Sequence, residues 1–186
     1  QDIVPNHLAF HTSNTRLMDV LERGPLSNYY DYFDINWNHP SPALEGKLLV
    51  PFLSDDLETC VRNKQIRLNF SQLGFFIENF DQRYPLSIRA YDDLFSSLNS
   101  PGVKKLMKEW HQFLNGAAPK AELKTWQKLK SQWFNSVSRT EENSIRKIIV
   151  EVETHADKLM TLLDKQYYVF SHWKKTNTEI NYRRFF

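Results

Sequence analysis

From residue 101 to residue 163 apolar side chains return every three or four positions, and no other feature restricts the fold of this chain so much. Ser100-Pro101 supplies a cap and a first-turn proline. Val103, Leu106, Met107, Trp110, Phe113 and Leu114 then fall on one side, and Asn115-Gly116 ends the run. Pro119 opens a second helix striped with Leu123, Trp126, Leu129, Trp133 and Val137. A third and longest helix is expected from about Thr140 to Lys165, with Ile145, Ile148, Ile149, Val152, Ala156, Leu159, Met160 and Leu163 facing inward. A helix that is apolar on one side must bury that side, so this stretch predicts helices packed on one another.

Upstream the period drops to two. Ile66 to Phe70 and Phe75 to Phe80 alternate around Ser71-Gln72-Leu73-Gly74, which predicts an antiparallel hairpin with a four-residue loop. Lys47 to Leu53 reads as a strand, and Ser54-Asp55-Asp56 caps a helix running to about Asn63. Asn14 is the expected N-cap of a helix through Leu17, Met18, Val20 and Leu21, stopped by Gly24-Pro25. Ser27 to Phe33 adds a short helical turn, Pro40 and Pro42 mark an irregular connection, and Tyr167 to Phe186 mixes aromatics and charge without one period. The expected class is mainly α with a small antiparallel β-hairpin.

The 186 residues are enough for one sizeable domain, and 41% hydrophobic and 14% aromatic residues supply its core. A net charge of +2 gives no electrostatic case for a nucleic-acid binder. The single Cys60 excludes an intrachain disulfide and a cysteine-rich zinc site, and it allows a reducing compartment. No apolar stretch approaches the roughly twenty residues that cross a bilayer, so no membrane partner is expected, and no signal peptide is visible.

The chain opens on Asp2-Ile3-Val4-Pro5-Asn6-His7, an apolar run flanked by a carboxylate and a histidine. Such a run reads as the tail of a buried strand that delivers polar groups at its C-terminal end. It resembles the first signature region of the α-amylase superfamily, Asp-(apolar)-(apolar)-x-Asn-His, at the end of the third barrel strand. The far end, Glu179-Ile180-Asn181-Tyr182-Arg183-Arg184-Phe185-Phe186, resembles a motif of one branch of that superfamily, the maltooligosyl trehalose synthases. Leu17-Met18-Asp19-Val20-Leu21-Glu22-Arg23-Gly24-Pro25, Tyr32-Phe33-Asp34-Ile35-Asn36-Trp37, Gly46-Lys47-Leu48-Leu49-Val50-Pro51 and Tyr84-Pro85-Leu86-Ser87 match the same branch in order.

The resemblance implies an internal fragment of a (β/α)8-barrel enzyme in which the loop after the third strand has grown into a helical insertion. On that reading residues 1–45 hold the end of the third strand with its following loop and helix, and 46–90 a small strand and hairpin region. Residues 91–165 form the helical insertion, and 166–186 return toward the fourth strand. The family's catalytic carboxylates follow later strands, and no Gly-x-Arg-x-Asp segment occurs here. The implied catalytic set within this chain is therefore empty, and the chain alone is expected to be inactive. The implied activity is that of a glucosylmutase that turns the reducing-end α-1,4 bond of a maltodextrin into an α,α-1,1 bond. A maltooligosyl trehalose trehalohydrolase is the implied pathway partner, and the implied location is cytoplasmic.

By the same resemblance His7 binds a sugar hydroxyl beside the cleavage point, a role that suits imidazole because it offers one donor and one acceptor at neutral pH. A histidine satisfied at a strand end is the alternative. Asp2 would orient neighbouring groups. Asn6 is a calcium ligand in many α-amylases, but one amide oxygen falls short of the six to eight that calcium takes, so no metal and no cofactor are expected. His7 and His11 are spaced for zinc on a helix, and Pro5 opposes a helix there. Glu179, Tyr182, Arg183 and Arg184 have two open readings: an arginine fork and a stacking ring for sugar, or a salt-bridged segment that fastens the insertion. Ser171-His172-Trp173-Lys174-Lys175 departs from the family, which leaves Lys174 and Lys175 without an implied role. Trp110, Trp126 and Trp133 read as core rather than as a glycan or nucleic-acid platform, and Asp55-Asp56 and Asp92-Asp93 as helix starts. Two other functions remain open: another superfamily hydrolase or transglycosidase, or a helical glycan- or protein-binding module without catalysis.

Overall fold

The structure is a computed structural model that describes residues 11–98, 100–114, 120–175 and 181–182. Helix α1 (Thr15–Arg23) starts where expected: the Asn14 side chain accepts a hydrogen bond from the Leu17 N–H at 3.2 Å, and Leu17, Val20 and Leu21 are buried. Gly24, at φ 54°, stops it. The helical turn expected after Ser27 is the tighter 3-10 form at Tyr30–Tyr32, with another at Gly24–Leu26. Strand β1 (Leu48–Leu53) leads into α2 (Leu57–Arg62), where the Asp56 carboxylate accepts from the Thr59 N–H at 2.9 Å. That bond holds the Asp56 carboxyl below its ordinary pKa, as an N-cap should.

The hairpin forms at the expected residues, with a shorter turn. Strands β2 (Ile66–Ser71) and β3 (Gly74–Asn79) are antiparallel, and Ser71 pairs with Gly74, so only Gln72 and Leu73 remain outside the ladder rather than four residues. Strand β4 (Gln82–Pro85), which sequence patterning did not separate from the following loop, extends the sheet in the order β2-β3-β4. After α3 (Tyr91–Phe95) come α4 (Pro101–Leu114), α5 (Lys120–Asn135), α6 (Arg139–Thr154) and α7 (Ala156–Asp164). Ser100 caps α4 through its hydroxyl, which accepts from the Val103 N–H at 3.2 Å. The expected stop at Asn115-Gly116 and start at Pro119 lie outside the described residues.

The helix expected from Thr140 to Lys165 is two helices. His155, at φ −111° and ψ 102°, is extended, and it ends α6 and starts α7. The Thr154 hydroxyl donates back to the Val150 carbonyl at 2.6 Å, a local bond that competes with helix propagation. Ile145 and Leu159 are buried on either side of the break, but Ala156, expected to face inward, is exposed just after it; the apolar period in the sequence conceals the break. The last surprise is β5 (Tyr168–His172), within the segment that lacks a clear period. It pairs in parallel with β1, with Leu48 opposite Tyr168 and Val50 opposite Phe170.

One apolar cluster joins these elements, from Leu17 in α1 to Phe170 in β5. Tyr84 of β4 lies edge-on to Phe170 at 5.0 Å between ring centroids, and the Tyr168 hydroxyl donates to the Pro85 carbonyl at 3.1 Å. These contacts seat the antiparallel sheet on the parallel pair. Phe75 of β3 meets Tyr91, Phe95 and Phe134 at 5.4 to 5.9 Å, which joins the sheet to the helices. Trp110 and Trp133 are buried, in line with the core reading; the Trp126 side chain lies outside the described residues. Asp56 caps α2 and Asp92-Asp93 open α3, which confirms both acidic pairs as helix starts. Among the described residues no helix is long and apolar enough to cross a membrane.

Candidate functional site

Two triplets of the same pattern, Ile35-Asn36-Trp37 and Ile180-Asn181-Tyr182, stand far apart in the chain, and the described part of the second meets the first. Ile35 and Tyr182 form an antiparallel bridge, and the Asn36 N–H donates to the Asn181 carbonyl at 2.7 Å. The Asn181 side chain extends the contact to the start of β1. Its Oδ1 accepts from the Leu49 N–H at 2.9 Å, while its Nδ2 donates to the Lys47 carbonyl at 2.6 Å and the Asn36 carbonyl at 3.2 Å. At 4% exposure this amide satisfies both donors and its oxygen without water.

The flanking groups stiffen the junction. Tyr30 stacks on Trp37 at 4.6 Å and 13° between planes, and the Gly46 N–H donates to the Trp37 carbonyl at 2.8 Å. Lys47 sends its ammonium to the Asp164 carboxylate and carbonyl, both at 2.7 Å, which ties the start of β1 to the end of α7. Tyr182 itself is half-buried and packs against the apolar cluster. Of the site residues expected from sequence, Tyr182 is thus placed in this junction. Asp2, Asn6, His7, Glu179, Arg183 and Arg184 lie outside the described residues. Asn36 and Asn181 were missed as a pair, although the repeated Ile-Asn-aromatic triplet was a signal that could have found them.

A second polar cluster has a different character. The Lys130 ammonium, buried between α1 and α5, pairs with the Glu22 carboxylate and lies 5.7 Å from the centroid of the Tyr91 ring. Burial works against the ammonium, but the facing Tyr91 and Glu22 raise its pKa above the ordinary value. Tyr91 accepts the Phe75 N–H at 3.2 Å, and burial pushes its hydroxyl up to about 12. Beside this pair Arg23 bridges to Asp19, whose carboxylate accepts from the Ser27 hydroxyl at 2.5 Å. The charged residues of the Leu17-to-Pro25 block therefore fasten α1 to its surroundings, and a cation neutralised by a buried carboxylate is poorly suited to bind a neutral sugar.

Two concavities lie elsewhere. A cavity of about 260 Å³ between α3, α6 and α7 is lined by Asp93, Leu94, Glu151, Val152 and Lys158 among others. A groove of about 700 Å³ runs along α4 past Phe95, Leu98, Val103 and Met107. Lys174 lies 5.5 Å from the Trp173 ring on an exposed 3-10 turn after β5. Among the described residues no three histidine, cysteine or carboxylate side chains are grouped to hold a metal.

No protein-family model matches the chain, and no curated protein matches it. Two solved structures do. The "DSM5389 glycosyltrehalose synthase" matches with 27% identity and a TM-score of 0.52 over 99% of this chain and 17% of its own. A crystal structure of a maltooligosyl trehalose synthase matches with 22% identity and a TM-score of 0.53 over 98% of this chain and 15% of its own, a likeness of fold alone. The chain thus spans less than a fifth of either matched structure, yet nearly all of it is matched. The chain thus resembles one segment of the maltooligosyl trehalose synthases.

Proposed function

We propose that this chain is a segment of an intramolecular transglucosylase that converts the reducing-end α-1,4 bond of maltooligosaccharides into an α,α-1,1 bond. The supporting observation is a fold likeness that covers 99% of the chain; within this chain, two of the blocks that resemble the family also meet at the Ile35–Tyr182 bridge. The outcome fits a retaining double displacement. A carboxylate forms a glycosyl-enzyme, the freed glucose stays in a closed pocket, and its anomeric hydroxyl attacks in place of water. The reacting carboxylates belong to the rest of the parent protein. This segment supplies a wall of the pocket, with His7 and the Tyr182-Arg183-Arg184 run as sugar contacts and Asp2, Asn6 and Glu179 as supporting groups. Excluding water is what separates transfer from hydrolysis, and a large packed insertion beside the pocket suits that task. We place the enzyme in the cytoplasm, where a trehalohydrolase would consume its product.

Full-length protein incubated with maltopentaose tests this directly. The expected result is loss of reducing ends with the number of glucose units per molecule unchanged. Shorter maltodextrins that keep their reducing ends would identify a hydrolase, and no change in the sugar would favour a binding module.

A further inference from the structure

We propose that Tyr32 and Tyr29 form a stacking corner that holds one glucose ring of an α-1,4-glucan chain. The choice of ligand rests on the synthase reading above, and the corner itself rests on geometry. A 3-10 turn has three residues per turn, so side chains three apart lie one above the other. Tyr30–Tyr32 is such a turn, and the Tyr32 N–H donates to the Tyr29 carbonyl at 3.0 Å. The Tyr29 and Tyr32 rings therefore meet, at 5.3 Å between centroids and with planes 84° apart. Tyr32 is 63% exposed and Tyr29 half-buried beside it, so the pair presents an aromatic surface rather than one scattered ring.

The corner is held from both sides. The Ser27 hydroxyl accepts the Tyr29 N–H at 3.0 Å while it donates to the Asp19 carboxylate of α1. Tyr30 stacks on Trp37, which joins the turn to the loop that meets Asn181. A surface fixed in this way loses little conformational freedom on binding. Its chemistry suits a sugar. One face of a glucose ring carries polarised C–H groups that pack on the electron-rich face of a tyrosine, and the phenol hydroxyls both give and accept hydrogen bonds. The Arg16 guanidinium lies 5.7 Å from the Tyr29 centroid, and Asp31 is exposed within the turn, which adds a donor fork and an acceptor for sugar hydroxyls.

The test uses full-length protein and β-cyclodextrin, a ring of α-1,4-linked glucose that has no reducing end and so binds without being turned over by the proposed reaction. In titration calorimetry Tyr32→Ala is expected to weaken its binding at least fivefold. Tyr32→Phe, which keeps the ring, stays within twofold of the parent. Phe80→Ala removes a comparably exposed ring from the turn between β3 and β4 and also stays within twofold. In the parent protein the sugar is expected to slow amide exchange at least threefold in the peptide spanning residues 27–34. A parent that binds no cyclodextrin, or that binds it without protecting that peptide, overturns the proposal. Tyr32→Phe as weak as Tyr32→Ala overturns the stacking role. A lower melting temperature of Tyr32→Ala with unchanged affinity marks the corner as a packing surface for the rest of the parent protein, and that too overturns it. A parent that yields no non-reducing product from maltopentaose, yet loses cyclodextrin binding with Tyr32→Ala, sinks the synthase reading and leaves the glucan contact standing.

Discussion

Glu22 and Asn181 both lie in blocks that resemble the same family, but the Glu22–Lys130 contact and the Asn181 junction solve the problem of burying polar groups in opposite ways. At the first, full charges are taken out of water and neutralise each other, with side chains only 13% and 7% exposed. At the second, a neutral amide meets backbone groups of two segments distant from it in sequence. A buried ion pair is costly to break and cheap to replace with apolar groups of like size. A saturated amide has no apolar substitute, because its removal strands the backbone donors and acceptors it served. The difference teaches that a motif match marks residues that belong together without saying whether they hold the fold or shape a site. The chemistry of their partners separates the two.

The largest expected effect breaks the comparison on the ionic side. Lys130→Ala leaves the partly buried Glu22 carboxylate with only the more distant Arg23 guanidinium, at 4.0 Å, in place of its close partner, and should destabilise the protein by about 3 kcal/mol in urea unfolding. The double change Glu22→Leu with Lys130→Met removes both charges and should restore stability to within about 1.5 kcal/mol of the parent. A double variant no better than Lys130→Ala would show that the pair does more than neutralise itself.

A middle-sized effect sharpens the comparison at the edge of the ionic block. Gly24 has φ 54°, and a Cβ there would lie 2.3–2.5 Å from carbons of the Tyr167 ring, whereas Gly46 has φ 66° with nothing within 4 Å of such a Cβ. Gly24→Ala combines left-handed strain with overpacking and should cost about 2–3 kcal/mol. Gly46→Ala, before β1, has the strain alone and should cost about 1 kcal/mol. Equal melting-temperature losses would mean that Tyr167 moves aside freely.

The smallest effect calibrates both regions against a site in neither. Ser138 and Glu141 form a capping box at the start of α6, and Ser138→Ala should cost about 1 kcal/mol at neutral pH. The backbone N–H of Ser138, and then its hydroxyl, holds the Glu141 carboxyl below its ordinary 4.5. A lowered folded-state pKa gives stabilisation that is present above the unfolded value and lost as pH falls through the folded one. The cost of Ser138→Ala should therefore shrink below pH 4.5. A cost constant with pH would show that the Ser138 hydroxyl adds nothing to the hold on the Glu141 carboxylate.

Local patterns were legible and distant pairings were not. Asn14, Asp56 and Ser100 announced their helices because a cap acts within three residues of itself. The alternation from Ile66 to Asn79 announced a hairpin, since its strands are neighbours in sequence. Strand β5 stayed hidden because its partner β1 lies more than a hundred residues upstream and its buried Tyr168 and Phe170 sit in a run of mixed polarity. The break at His155 stayed hidden because apolar residues recur at helical spacing on both sides of it, although Ala156 proves exposed. At the site, aromatic and charged side chains drew attention to Tyr182 and its neighbours. The small amide of Asn181 acts through backbone groups whose positions no local pattern reveals.

We propose that the Asn181 junction is where this segment meets sugar, whereas the Glu22–Lys130 pair holds the segment together. A crystal structure of the full-length protein with a bound maltooligosaccharide measures this most directly. The account predicts sugar atoms within hydrogen-bonding or stacking distance of at least one of Tyr182, Arg183 and Arg184, with the Asn181 amide still bonded to Leu49 and Lys47 and no sugar near Lys130. Sugar bound elsewhere, with all three of those side chains turned into protein contacts, would contradict it.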